Sequence, residues 1–241
     1  MQYSCIRKLL AIELTKLSAR FNILYLIIIH GIVWLQVFVA VKMEQAMAAH
    51  PYAAEDIMSV AERFVNNIAY TFIPVLFLIN LSREFEYGIV HRMLVSGQTR
   101  LQYFQSKLIQ LFLLSVVAAI SLIHFSVSIA AGFNLSVSWD WGRTLFAFLV
   151  PFYLGSITML FAFMLKKTNY AIILYAAYIV FDNSVSTILQ NNGMDIQFPF
   201  TMCVRLLDPG IYNAWTFVFM AGSFILFLQL ALWKFRKSDL W

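Results

Sequence analysis

Charge is scarce in this sequence. Asp, Glu, Lys and Arg make up 12% of its 241 residues, where soluble domains carry about 25%. Cysteine is scarcer: two residues are too few for a disulfide framework. No CxxC or HExxH spacing offers metal ligands, so no metal site and no cofactor is expected. No G-x-x-x-x-G-K-[ST] segment occurs, so the chain has no ATP-binding loop of its own. No Ser-His-Asp, paired-carboxylate or His-Glu arrangement falls within its apolar stretches, which argues against an intramembrane enzyme. Internal repeats and low-complexity tracts are also lacking.

What is there is apolar. Hydrophobic residues form 61% of the chain, and the mean hydropathy is +0.77. A globular core cannot bury this much apolar surface, because surface does not shrink fast enough with size. The composition reads as an all-α integral membrane protein. Five runs are long enough to span a hydrocarbon layer of about 30 Å, which takes about 20 helical residues. They are Phe21–Val41, Leu108–Gly132, Thr144–Leu165, Thr168–Leu189 and Ala214–Trp233. A sixth, Ile68–Leu81, reaches full length if its helix begins near Val60, and Pro74 can kink it. Backbone in lipid must satisfy its own hydrogen bonds, so all six read as helices. No loop between them is long enough for a soluble domain, and residues 1–241 read as one transmembrane domain.

The net charge of +5 is an orientation signal. With both termini on the cytoplasmic side, only Lys42, Arg63, Arg143 and Arg205 fall outside, and the other 13 of the 17 Lys and Arg residues fall inside. Six spans with cytoplasmic termini satisfy the positive-inside rule, and a nucleic-acid partner is unnecessary. This topology puts Cys5 inside and Cys203 outside, where they cannot pair within one chain. "AMAA" at 46–49 looks like a signal-peptide cleavage site, but the apolar stretch before it is too long for one.

The leader before the first run is helical in pattern. Ile6, Leu9, Leu10, Leu14 and Leu17 recur at helical spacing, and Arg7, Lys8, Lys16 and Arg20 supply positive charge. It reads as an amphipathic helix in the membrane interface that braces the first span. The plainer alternative is a solvated basic leader that only sets orientation.

Between the second and third runs stands "REFEYGIVHRMLVSGQTR", residues 83–100. Glu84 and Glu86 suit the start of a helix, where the dipole is positive. Phe85, Ile89 and Met93 share one face, with Val90 and Leu94 beside them, while His91 and Arg92 lie off it. Gly97 can close the helix in a left-handed conformation. Thr99 and Gln102 then form a capping box for the next helix. A short cytoplasmic helix with an apolar face needs something to cover it. Lipid headgroups are one candidate and a groove on a soluble partner is the other.

The stretch "SREFEYGIVHRMLVSGQTRLQYFQSKLI" resembles the loop after the second span in permeases of the type-2 ABC export family. The matching positions are Glu86, Gly88, Arg92, Leu94, Gly97, Thr99, Arg100 and Lys107. The leader "IELTKLSARFNILYL" resembles the family's opening, with Glu13 and Lys16 in place. The resemblance implies that this segment is a coupling helix docked on an ATP-binding subunit, with Glu84, Phe85, Glu86, Gly88, Ile89, Arg92, Met93, Gly97, Thr99 and Arg100 at the contact. It implies a non-catalytic transmembrane subunit in the cell (inner) membrane. The partners would be two ATPase copies and a second copy of this chain or a similar permease. The family often has re-entrant helices before the sixth span; here "QNNGMDIQFPFTMCVRLLDPGIYN" is compact. A non-transporting anchor or sensor that borrows the same ATPase contact is the alternative.

Asp182 is the only carboxylate inside a run, and such residues are rare because they are costly. Tyr175, Tyr178, Asp182 and Ser186 fall on one stripe of the fifth run, with Asn183 and Thr187 beside it. The stripe reads either as a wall of a translocation path or as a hydrogen-bonded site near the outer interface. In the resembling family the second and fifth spans line the dimer interface. His30, Gln36, Asn80 and His124 are lone polar groups that interhelical hydrogen bonds explain. The tryptophans near the ends of the runs read as interface belts.

Overall fold

The computed structural model describes residues 11, 13, 15, 16, 20–47, 71–133, 141–192 and 214–237. Among them every regular element is an α-helix. Residues 11, 13, 15 and 16 of the leader are helical. Seven helices follow: α1 Arg20–Met47, α2 over residues 71–86, α3 Ile89–Val95, α4 Arg100–Phe133, α5 Trp141–Leu165, α6 Thr168–Asn191 and α7 Ala214–Lys237. Each of the six apolar runs lies in one of these helices as far as it is described. The leader's apolar stripe, the start of the second run, both cysteines and the segment before α7 lie outside the described residues.

Among the described residues, four helices are long and apolar enough to cross a membrane, over Arg100–Ser121, Phe148–Leu165, Thr168–Asn191 and Val218–Lys237. By length and composition the chain is a multi-pass membrane protein. α1 carries a shorter apolar stretch, Asn22–Gln36, and exposes Leu24, Ile27, Ile28, Leu35 and Phe38. α5 is the central helix and packs on α4, α6 and α7. Gly155 makes its approach to α4 possible, because a Cβ there would overlap the buried Leu111 side chain.

One core cluster joins Leu76, Phe77 and Leu81 of α2, Leu111 and Leu114 of α4, Met159 and Phe163 of α5, Tyr175 of α6 and Phe235 of α7. A second joins Val150, Tyr153, Leu154 and Ile157 of α5 to Met220 of α7. α5 and α6 are linked by two residues only, and Lys166 takes the left-handed conformation (φ 55) that usually falls to glycine. The end of α2, the start of α4, the end of α5, the start of α6 and the end of α7 therefore meet at one pole of the bundle.

The 83–100 segment departs from the expected pattern at its beginning. Glu84 and Glu86 do not open a helix; they lie in the last turn of α2, which continues to residue 86. The break comes at Tyr87 and Gly88, and Gly88 has φ 64, a conformation glycine adopts without strain. Propensity placed the helix start by the acidic pair, but α2 runs on through them because Glu84 finds partners inside the bundle. Downstream the local signals hold. Gly97 closes α3 at φ 96. Thr99 N donates to Gln102 Oε1 at 2.9 Å, and Gln102 N donates to Thr99 Oγ1 at 3.2 Å, a reciprocal capping box opening α4.

Candidate functional site: a polar joint at one pole

Three polar clasps surround α3. The first is a group of four charges, three of them buried. Lys107 of α4 is fully buried and places Nζ 2.7 Å from Glu84 Oε1 and 3.2 Å from Glu13 Oε1. Lys16 Nζ lies 2.9 Å from Glu84 Oε1 and 3.1 Å from Glu13 Oε1. Two ammonium and two carboxylate groups cancel, so the set is neutral. Neutrality matters, because an unpaired charge in such a place costs several kcal/mol, roughly 3–5 when one partner is removed. The remaining valences are filled as well. Tyr103 OH donates to Glu84 Oε2 at 2.8 Å, and Lys107 Nζ donates to Gln110 Oε1 at 3.3 Å. Lys107 also lies 5.2 Å from the centre of the Tyr103 ring.

Burial alone would push the Glu84 carboxyl up, but Lys107 and Lys16 outweigh it and hold the group below the ordinary carboxylate value. Burial works to lower Lys16, and Glu84 and Glu13 reverse it, so the ammonium is held more firmly than usual.

The second clasp belongs to Glu86. Its carboxylate accepts from Thr168 N at 2.6 Å and from Thr168 Oγ1 at 2.9 Å. Lys167, at the N-cap of α6, offers no side-chain cap. The last turn of α2 thus caps the first turn of α6, where the helix dipole favours an anion. The third clasp is Arg100, which donates through Nη1 to the carbonyls of Phe235 (2.8 Å) and Arg236 at the end of α7. Its guanidinium also faces the Phe235 ring at 5.8 Å. A cation at a helix C-terminus is the favourable sign.

An aromatic cage sits among the clasps. Phe85 packs edge-on against Tyr103 at 6.4 Å, Phe163 at 5.6 Å and Phe235 at 6.2 Å. Phe163 and Phe235 stack at 4.8 Å. Such contacts add about 0.5–1.5 kcal/mol each beyond area burial.

The residues expected at an ATPase contact therefore separate into two groups. Glu84 is buried, and Phe85, Val90, Met93 and Leu94 are packed against the chain's own core. The stripe periodicity marked a covered face, and the covering comes from the bundle itself. Ile89 is half-buried, and Glu86 and Thr99 are exposed beside their bonded partners. α3 and its flanks present Tyr87, Arg92, Val95, Ser96 and Gly97, with Tyr87 67% and Val95 73% exposed. Arg92 Nη2 donates to Tyr87 O at 3.2 Å and steadies the break.

The structure also brings in residues that the sequence did not single out: Tyr103, Gln110, Thr168, Phe163 and Phe235. Of the charged group, Glu13, Lys16 and Lys107 stood out in the sequence only as positions of the family resemblance.

The second candidate region is the α6 stripe. Asp182 and Ser186 are buried, as is Tyr175, while Tyr178 is half-buried. The four share the face that α6 turns toward the protein. Tyr178 meets Phe161 of α5 edge-on at 5.9 Å and stacks with Tyr175 at 6.4 Å. Neighbouring Asn183 and Thr187 are exposed, and Thr187 Oγ1 donates to Asn183 O. Of the lone polar groups, His30 lies 2.9 Å from Ser121 Oγ of α4, the interhelical contact expected of it. Gln36 and His124 lie on exposed faces and Asn80 is half-buried. Among the described residues no group of His, Cys, Asp and Glu is arranged to hold a metal ion. No protein family and no curated protein matches the chain in sequence.

Proposed function

We propose that the chain is the transmembrane subunit of an ATP-binding cassette exporter, with six spans, both termini cytoplasmic and a home in the inner cell membrane. Two copies of an ATPase subunit would drive it, and a second copy of this chain or a similar permease would complete the path. The subunit itself hydrolyses nothing. One observation carries the reading: α3 is a seven-residue helix whose flanks are clasped to the leader, α4, α6 and α7. A push on α3 reaches four elements through short polar contacts, which is what a coupling helix requires. The resemblance at Glu86, Gly88, Arg92, Gly97, Thr99, Arg100 and Lys107 supports the same reading.

Charge placement supports the orientation. Lys16, Arg83, Arg92, Arg100, Lys107, Lys166, Lys167, Lys234, Arg236 and Lys237 collect at the α3 pole, while Lys42 stands toward the far end of α1. Lys167 over Tyr170 at 5.8 Å and Lys237 over Trp233 at 4.8 Å pair a cation with an aromatic ring near this pole, as interfacial residues do. In this reading the docking face is Tyr87, Arg92 and Val95. The Asp182 stripe would line the path.

Affinity purification from native membranes with nucleotide present, followed by an ATPase assay, tests the proposal. The wild-type chain carries an ABC-type ATPase with it. Tyr87→Asp with Val95→Asp inserts and folds, because both side chains are exposed, yet loses the ATPase. Full ATPase recovery with that double variant removes α3 as the coupling element. Cargo-stimulated ATP turnover separates an exporter from a non-transporting anchor that uses the same contact.

A further inference from the structure

The four charges, three of them buried, form a closed ring. Lys107, Glu84, Lys16 and Glu13 alternate in sign around it, and successive neighbours stand 2.7, 2.9, 3.1 and 3.2 Å apart. Two edges of the ring lie within one body each. Lys107–Glu84 joins α4 to α2 inside the bundle, and Glu13–Lys16 is an i, i+3 pair inside the leader. The other two edges, Lys107–Glu13 and Lys16–Glu84, cross from leader to bundle. Opening both crossing edges leaves two neutral pairs and no lone charge on either side.

We propose that the ring is a partner-exchange clasp that lets the leader detach from α2 and α4 and reseat. The costly species in a buried site is an uncompensated charge, and this arrangement avoids it in both states. In the released state the bundle keeps Lys107 with Glu84, and the leader carries Glu13 with Lys16 into water. The bundle half remains hydrogen-bonded, because Glu84 Oε2 keeps Tyr103 OH and Lys107 keeps Gln110. Lys16 is the member that solvent already reaches, with 29% of its side chain exposed against none for Lys107 and 8% for Glu84. Opening therefore starts from the leader side. The inference stands on the ring geometry and does not depend on the ATPase reading.

Two double variants of the full-length chain in detergent micelles test it. Glu13→Gln with Lys16→Gln leaves one ion pair, Lys107–Glu84, wholly within the bundle. Lys16→Gln with Glu84→Gln also leaves one ion pair, Lys107–Glu13, but across the joint, so release strands the Lys107 charge. Both remove one carboxylate and one ammonium group, and both keep Lys107 paired when the leader is docked. Amide hydrogen exchange over residues 11–20 is the readout. Exchange at least roughly tenfold faster in the first variant than in the second is expected, because only the second leaves a buried charge unpaired on release. Equal leader exchange in the two variants overturns the proposal and makes the ring a static joint. If the second variant does not fold, Glu84→Gln against Glu13→Gln is read in the same way: slower leader exchange in Glu84→Gln supports the clasp, and equal or faster exchange overturns it.

Discussion

Lys107 holds its ammonium group 2.7 Å from the Glu84 carboxylate, a contact that closes a 23-residue separation and spans the whole of α3. Because Lys107 is fully buried, this pair fixes where α2 ends against α4.

Replacing Lys107 by Met leaves Glu84 and Glu13 facing each other with Lys16 alone between them. The expected loss is about 3–5 kcal/mol, the cost of an uncompensated buried charge. Adding Glu84→Gln to Lys107→Met restores part of that loss, since it removes the stranded carboxylate. Thermal unfolding in one detergent compares the three proteins, and a Lys107→Met protein as stable as wild type contradicts the account.

Stability across pH follows from the same ring. Glu84 is held below the ordinary carboxyl value of 4.5 in the folded state, so its contribution is complete above that value and is lost as pH falls through the depressed one. Lys16 is held above 10.5, so its contribution is complete below that value and is lost as pH rises through the raised one. The melting temperature should therefore fall on the acid side as pH drops through the Glu84 value, and Lys16 contributes a fall above its own raised value. Glu84→Gln should remove much of the fall on the acid side, which a pH series of melting curves reads directly.

Glu86→Gln keeps a hydrogen-bond acceptor at the first turn of α6 but removes the charge. A loss of about 0.5–2 kcal/mol is expected, the range for caps and for anions at a helix N-terminus. Thr168→Val removes the second bond of the clasp. The two changes together cost less than the sum of their separate effects, because they share one interaction. A double-mutant cycle, with hydrogen exchange in the first turn of α6 as a local readout, measures the coupling.

Asp182→Asn preserves shape in a buried position and replaces the carboxyl group with an amide. The variant should insert and unfold like wild type. Under the transport reading, cargo movement in reconstituted vesicles falls. Undiminished transport by this variant assigns Asp182 to helix packing alone.

Much of the fold was legible in the sequence because it rests on composition and local signals. The apolar runs lie in helices as far as they are described, since a long apolar backbone in lipid has no other way to satisfy its hydrogen bonds. Gly97 and the Thr99–Gln102 box act over a few residues, and the structure has them as the sequence implies. The Tyr175, Asp182 and Ser186 stripe was readable too, because helical periodicity fixes which residues share a face.

Tertiary structure decided the rest. Glu84 and Glu86 look like a helix start by propensity, yet they end α2, because their partners lie 23 and 82 residues away. Periodicity placed Phe85 and Met93 on a covered face but carried no information on what covers it; the bundle does, with Phe85 against Tyr103, Phe163 and Phe235 and Met93 against the same core. The charge ring joins Glu13 to Lys107 across 94 positions. Sequence spacing encodes neighbours within a turn or two of helix. Which distant charge fills a buried valence is set only when packing brings the helix ends together and excludes water from between them.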